Sequence, residues 1–143
     1  MRLLISALML FALHTVAAST PALSVDHGQV RQPMPGRTVT AGYFSLHNGT
    51  AEAVQLVGAS SPLFARVELH QHSHKDGMMR MEQIEHIVIP AGESVELAPG
   101  GLHLMLFEAP GTLQVGQSIE LILHFADGQQ LPASLPVVAM PQR

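Results

Sequence analysis

The sequence predicts an all-β protein with a single domain. Short segments rich in β-forming residues recur along the chain, and turn signals that contain Gly, Pro, Asn or Asp separate them. Segments of this length and spacing are typical of a β-sandwich or a barrel. With 143 residues, the chain is long enough for one hydrophobic core and too short for two ordinary domains.

Composition and charge exclude several classes of protein. The chain is 47% hydrophobic and 13% charged, which is not the composition of a disordered protein. Its formal net charge of -4 gives no electrostatic reason to expect nucleic acid as a partner. The sequence also shows no nucleophile elbow, no HExxH helix and no paired carboxylates with an acid–base partner. We therefore expect a binding protein that is not an enzyme.

Residues 1–18 have the layout of a secretory signal peptide. One positive charge, Arg2, precedes an apolar run from Leu3 to Leu13, and small residues follow, so we expect cleavage after Ala18. The alternative is a membrane anchor, but the run is shorter than the roughly 20 residues that span a bilayer. We expect no stable membrane insertion after cleavage. Since the sequence contains no cysteine, we also expect no lipid anchor on a cysteine.

Residues 19–36 are rich in Pro and Gly, which predicts an extended N-terminal arm leading into a domain at 37–143. Within that domain the sequence predicts strands at 38–48, 53–59, 63–71, 79–89, 93–98, 102–107, 117–128 and 131–138. The last strand contains Pro132 and Pro136, so we place it at an edge of the sheet.

In two of these strands, the alternation of apolar residues predicts which side chains face the core and which face outwards. In 63–71 the odd-numbered residues up to Leu69 are apolar and should face the core, which leaves His70 on the outer face at the end of the strand. In 102–107 the leucines share one face, and His103 and Met105 share the other. Two side chains at i and i+2 point the same way and can reach one ion.

Imidazoles and thioethers are concentrated between residues 70 and 105. Thioether ligands select for soft ions, above all Cu(I), whereas zinc takes Cys, His and carboxylate, and calcium takes oxygen. Each Met taken alone is also compatible with core packing, and a lone His is more often structural. An electron-transfer cupredoxin is not expected, because its copper site needs a cysteine thiolate.

Four of these residues have the order and spacing H-x10-M-x21-H-x-M, namely His70, Met81, His103 and Met105. This spacing resembles the signature of the periplasmic Cu(I) chaperones of the PCuAC type. The stretches "TAGYFSLHN", "LVGASSP", "DGMMRM" and "IPAGESVELAPGGLHLML" also resemble that family, so the resemblance extends from about residue 30 to about residue 138.

The resemblance implies a cupredoxin-like β-sandwich or Greek-key barrel with an exposed Cu(I) site formed by those four residues. It also implies a periplasmic protein that delivers copper to an acceptor, chiefly the CuA centre of cytochrome c oxidase subunit II, or to another periplasmic copper protein. General copper sequestration for homeostasis is the alternative function.

The roles of His72, His74, Met78 and Met79 remain open at this point. The stretch from His72 to Gly77 is predicted to be a loop, and it is either solvated or part of a second, harder site. In an extended segment His72 and His74 share a face with His70, and such a trio suits Cu(II) or zinc. Met78 and Met79 are either a transient relay for Cu(I) or the hydrophobic rim of its site.

Overall fold

The structure, a computed structural model, describes residues 22–141, so the predicted signal peptide lies outside the described residues. The described residues form ten strands and no helix. The strands are β1 Leu23–Arg31, β2 Thr40–Asn48, β3 Val54–Ser60, β4 Arg66–Lys75, β5 Met78–Gln83, β6 Ile87–Ile89, β7 Ser94–Leu97, β8 Leu102–Phe107, β9 Ser118–Phe125 and β10 Gln130–Val138. Within this part of the chain no helix could span a membrane.

The strands form one sheet that closes on itself. Their order is β5-β4-β8-β2-β1-β10-β9-β3-β6, and β7 pairs with β2. A further pairing between β3 and β4, at Ala59 and Val67, joins the strands that lie next to the two ends of this order and so closes the sheet. All these pairings are antiparallel except that of β1 with β10. The all-β, single-domain prediction is confirmed.

The core lies inside the closed sheet and takes one face of each long strand. On β8, Leu104 and Leu106 are fully buried, and on β4 Leu69 is buried beside them, as the alternation predicts. Full burial of each such side chain contributes about 1.5–3 kcal/mol to folding. Phe64 rather than Leu63 is buried, because β4 begins only at Arg66 and the alternation does not extend before it.

The N-terminal segment is part of the sheet, so the predicted arm is wrong for Leu23–Arg31. This segment forms β1, which pairs with β2 on one side and with β10 on the other. Its register shifts between Asp26 and Gln29, where the chain passes close to β10. A Cβ at Gly28 would lie 2.7 Å from Leu135 Cγ, so the absence of a side chain there permits the approach.

The predicted edge position of β10 is also wrong, since β10 lies between β9 and β1. Val137 donates its N–H to Gln117 O on the β9 side. The backbone nitrogens of successive residues in a strand point alternately to its two neighbouring strands. The nitrogens of Pro132 and Pro136 therefore point away from β9 and towards β1. The β1 ladder reaches only the last two residues of β10, so neither proline interrupts it.

Candidate metal centre

Strands β4 and β8 bring together residues that are more than thirty positions apart in the chain. In their antiparallel register His70 lies opposite His103, and Glu68 lies opposite Met105. Residues directly opposite each other share a face of the sheet, with Cβ atoms about 5 Å apart. All four side chains therefore belong to the outer face, away from the buried leucines. The sequence predicts His70 at the end of its strand, but His70 lies within β4.

The β4–β5 hairpin adds Met81 to this face. Asp76 and Gly77 form its two-residue turn, and both have positive φ, 54° and 72°, as a type I′ turn requires. The hairpin extends β4 to Lys75, so the loop predicted from His72 to Gly77 is wrong for His72–Lys75. Met81 consequently lies opposite His72 and diagonally across from His70.

His103 is only 2% exposed, although the sequence predicts that it faces outwards at an exposed site. Its ring is covered by the rings of His72, His70 and Tyr43, whose centroids lie 4.9, 5.8 and 6.5 Å away. Burial lowers the pKa of His103, and the neighbouring His72 and His70 lower it further, against a raising effect of the hydrogen bond to Gly101. The imidazole is therefore neutral at neutral pH.

Each nitrogen of the His103 ring has a defined state. Nδ1 donates a hydrogen bond to Gly101 O at 3.1 Å. In a neutral imidazole the other nitrogen then carries the lone pair. That atom, Nε2, is buried and has no hydrogen-bond partner. The same Gly101 carbonyl accepts the backbone N–H of His72 at 3.1 Å, which ties the middle of β4 to the start of β8.

His70 has the same arrangement with the nitrogens exchanged. Nε2 is hydrogen-bonded to Glu68 Oε2 at 2.8 Å, and Nδ1 is buried without a partner. The hydrogen bond from His70 is the main cause that lowers the pKa of Glu68. Arg66 lowers this pKa as well, and its Nε donates to Glu68 Oε1 at 2.9 Å. The Glu68 carboxylate accepts a hydrogen bond from Nε2–H, so in the neutral ring the lone pair is on Nδ1. A carboxylate that orients a histidine in this way is typical of metal sites.

The two methionines differ in exposure. Met105 is half-buried on β8, between Ala41 of β2 and Glu68 of β4 in the register. Met81 is 49% exposed on β5, the strand at the end of the sheet. A ligand set built from these residues is therefore most exposed at Met81, on the β5 side.

The other candidate residues fall into two groups. His72 lies at the centre, with its ring stacked on His103 at an interplanar angle of 26° and with its buried Nδ1 unpartnered. His74, Met78 and Met79 are exposed near the hairpin turn. In the register Met79 shares the face of Met81, whereas Met78 is on the opposite face.

Within residues 22–141, no group of three or more His, Asp or Glu side chains is arranged to hold a metal ion. The predicted trio of His70, His72 and His74 is therefore not assembled. An ion at this face would need thioether ligands beside its imidazoles, or a change in the orientation of a ring.

Two features of this centre were missed from the sequence. Glu68 is at i−2 from His70, so strand parity alone places it on the same face. Asp76-Gly77 is a strong hairpin signal, and it would have extended β4 through His72 and set the register with Met81.

Comparison with known proteins gives the family. Residues 23–137 match the sequence model of a family described as "Putative lipoprotein LpqE-like". The chain belongs to the LpqE-like family. A relative of this LpqE-like protein, "Putative lipoprotein Lxx21020" of Leifsonia xyli subsp. xyli (strain CTCB07), is 34% identical over 131 residues, which cover 88% of this chain and 79% of the relative.

Solved structures similar to this LpqE-like chain include PCuAC domains. "Copper-bound PCuAC domain from PmoF2" matches with a TM-score of 0.69 and 24% identity, covering 86% of this chain and 97% of that one. "Solution structure of CuI-DR1885 from Deinococcus Radiodurans" matches with a TM-score of 0.67 and 30% identity, covering 85% and 80%. These matches confirm the predicted cupredoxin-like fold and the predicted resemblance to PCuAC proteins.

Proposed function

We propose that the protein is a copper chaperone that binds Cu(I) through His70, Met81, His103 and Met105. The observation that carries the proposal is the pair of imidazoles held in register across β4 and β8. In each ring one nitrogen is fixed by a hydrogen bond, and the other is buried and unpartnered. The two ring centroids are 5.8 Å apart.

Buried polar atoms without partners are costly, at about 1–3 kcal/mol each. An ion bound between His70 Nδ1 and His103 Nε2 would satisfy both atoms at once. Met81 and Met105, on the same face, would supply two thioethers, and that combination favours Cu(I) over zinc or calcium. Protons do not compete with the ion for the thioether sulfurs. At His103, the lowered pKa of the ring reduces this competition.

Exposure of the ligands supports a carrier rather than a permanent metal site. His103 lies at the buried end of the set, while Met81 is half exposed on an end strand of the sheet. An acceptor protein could therefore replace Met81 first and the deeper ligands afterwards. The similar solved structure that is 30% identical to this chain, CuI-DR1885, is a Cu(I) form, which also supports copper as the cargo.

We further propose that the protein works in the bacterial periplasm and delivers copper to the CuA centre of cytochrome c oxidase subunit II or to another copper protein there. The signal-peptide layout of residues 1–18 supports export. The relative named as a lipoprotein supports a place in the cell envelope.

Competition with a chromogenic Cu(I) chelator tests the binding site. We expect one tightly bound Cu(I) per chain, and His103→Ala and Met105→Ala should each weaken the affinity at least about tenfold. Met78→Ala is the matched control for Met81→Ala, because its side chain lies on the opposite face of the same strand. Unchanged Cu(I) affinity in both His103→Ala and Met105→Ala would show that the site is elsewhere.

Delivery is tested separately from binding. The Cu(I)-loaded protein is mixed with a purified soluble CuA domain of subunit II, the two are separated by chromatography, and copper is measured in each. Delivery predicts that copper moves to the CuA domain. Retention of copper on the loaded protein would favour sequestration.

A further inference from the structure

Strand β5, Met78–Gln83, has a neighbouring strand on one side only. Within residues 22–141 it pairs with β4 and with no other strand, and all of its residues are exposed. The side of β5 that faces away from β4 is therefore a free edge of the sheet. Such an edge presents unpaired backbone N–H and C=O groups to any strand that can lie beside it.

One hydrogen bond shows which residues of β5 present their backbone to this edge. Ile84, just after the strand, donates its N–H to Leu69 O of β4. Backbone groups of successive residues in a strand point alternately to its two sides, so the even-numbered residues of β5 face β4 and the odd-numbered ones face the edge. The residues that face the edge are Met79, Met81 and Gln83. Within the described part of the chain, none of them forms a backbone hydrogen bond outside the β4–β5 hairpin.

Two opposite charges lie on the other face of β5. Arg80 and Glu82 are opposite the uncharged residues Ser73 and Gln71 of β4, and neither belongs to an ion pair within residues 22–141. Charged side chains usually protect an edge strand from pairing with another chain. Because these two charges differ in sign, they repel most strands but attract one that carries the opposite charges at the matching positions.

A second copy of β5 carries charges at those positions. When two copies run antiparallel with Met81 opposite Met81, Arg80 of each copy lies opposite Glu82 of the other. The edge-facing residues then form the hydrogen-bonded pairs, and the charged residues form the non-hydrogen-bonded pairs, in which opposite side chains are closest. A slip of two residues in either direction places Arg80 opposite Arg80 or Glu82 opposite Glu82, and like charges directly opposite each other are destabilising. Charge therefore selects a single register.

We propose that the protein forms a symmetric dimer, in which β5 pairs antiparallel with β5 of a second copy and Met81 lies opposite Met81. The pairing requires no copper and goes beyond the proposed function. Because both copies use the same edge, the assembly closes at two chains. The contact between two short strands is small, so the dimer is weak and its population depends on concentration. Dimer formation also covers the Met81 side chain, which the monomer exposes.

Sedimentation velocity of the metal-free protein lacking residues 1–18, from about 10 µM to about 1 mM, tests for the dimer. For the wild type we expect a shift from monomer to dimer over this range. Arg80→Glu and Glu82→Arg each place like charges opposite each other, so each should weaken the dimer about tenfold. The double variant with both substitutions restores opposite charges and should dimerise as the wild type does.

Lys75→Glu is the matched control for Arg80→Glu. It changes the net charge by the same amount at an exposed position of β4, away from the free edge, and should leave the dimer within about threefold of the wild type. Met79→Pro tests the backbone pairing. It removes an N–H that faces the edge and leaves the hydrogen bonds to β4 intact, so a folded Met79→Pro protein should stay monomeric.

A mixture of the two single charge variants gives an independent result. Arg80→Glu chains and Glu82→Arg chains repel their own kind and complement each other, so the mixture should form heterodimers at concentrations where neither variant dimerises alone. A wild type that stays monomeric up to about 1 mM would overturn the proposal and leave the edge to a strand of another protein.

Three further results would also overturn the proposed dimer. They are assembly beyond two chains, an equal loss of dimer in Lys75→Glu and Arg80→Glu, and a double variant that dimerises no better than the single ones. All these measurements are made without copper. Failure of the proposed Cu(I) site would appear instead in the chelator competition with His103→Ala and Met105→Ala.

Discussion

Glu68 offers a test of the centre that removes no ligand. Its carboxylate oxygen Oε2 is 2.8 Å from His70 Nε2, and in the neutral ring this contact favours a proton on Nε2 and a lone pair on Nδ1. The two side chains are 20% and 13% exposed, so the contact is largely shielded from water. The substitution Glu68→Ala removes the hydrogen bond and lets the His70 ring change its tautomer and its orientation.

The expected size of the effect follows from this geometry. Loss of a partner that orients a metal-binding histidine usually lowers metal affinity about 10- to 100-fold. This corresponds to about 1.4–2.8 kcal/mol of binding free energy. Since Glu68 is not fully buried, water can partly replace it, and we expect the lower half of this range, about 10- to 30-fold.

The assay is Cu(I) competition with a chromogenic chelator at pH 7.5. Glu68→Gln keeps an oxygen that accepts from Nε2 and should fall between the wild type and Glu68→Ala. Arg66→Ala is the control, because Arg66 contacts the other carboxylate oxygen and leaves the bond to His70 intact. Its affinity should stay within about twofold of the wild type, as expected for an exposed ion pair.

Two results would refute this reasoning about Glu68. One is a folded Glu68→Ala protein with wild-type Cu(I) affinity, which would mean that the carboxylate does not prepare His70. The other is an equal loss in Arg66→Ala and Glu68→Ala, which would point to the general charge of the surface and not to the orientation of the ring.

Two further predictions concern stability. Asn48 is fully buried; its Nδ2 donates to Glu52 O and Ile89 O at 2.8 and 3.0 Å, and its Oδ1 accepts from Thr50. In urea denaturation, Asn48→Ala should therefore lower the free energy of unfolding by about 2–4 kcal/mol. A loss below about 1 kcal/mol would contradict this prediction. The pKa of His103 is lowered in the fold, so the unfolded chain takes up its proton more readily, and the metal-free protein should lose stability as the pH falls below 6.5. Denaturation series from pH 7.5 to 5 should show a weaker dependence in His103→Gln, and an identical dependence in both proteins would contradict the assignment.

Local sequence patterns predict part of the centre well. Alternation along 102–107 places Leu104 and Leu106 in the core and gives His103 and Met105 a common face, because neighbouring side chains on a strand point to opposite sides. The burial of His103 could not be found in this way. The rings that cover it belong to β4 and β2, and their positions depend on pairings between distant segments.

Long-range pairing also explains the errors in the fold. The Pro and Gly content of residues 19–36 indicates an arm, but nothing local reveals that β10 provides a partner for β1. Pro132 and Pro136 indicate an edge strand, whereas the decisive fact is which neighbour their nitrogens face. Such information lies in the closure of the sheet and not in any single segment.

X-ray absorption at the copper edge tests the proposed Cu(I) centre most directly. For the protein loaded with one equivalent of Cu(I), we expect a shell of two sulfur and two nitrogen atoms, from Met81, Met105, His70 and His103. The sulfur contribution should decrease in Met105→Ala and stay unchanged in Met78→Ala. A shell of nitrogen alone in the wild type would contradict the proposed Cu(I) site, because the methionines would then have no part in holding the ion.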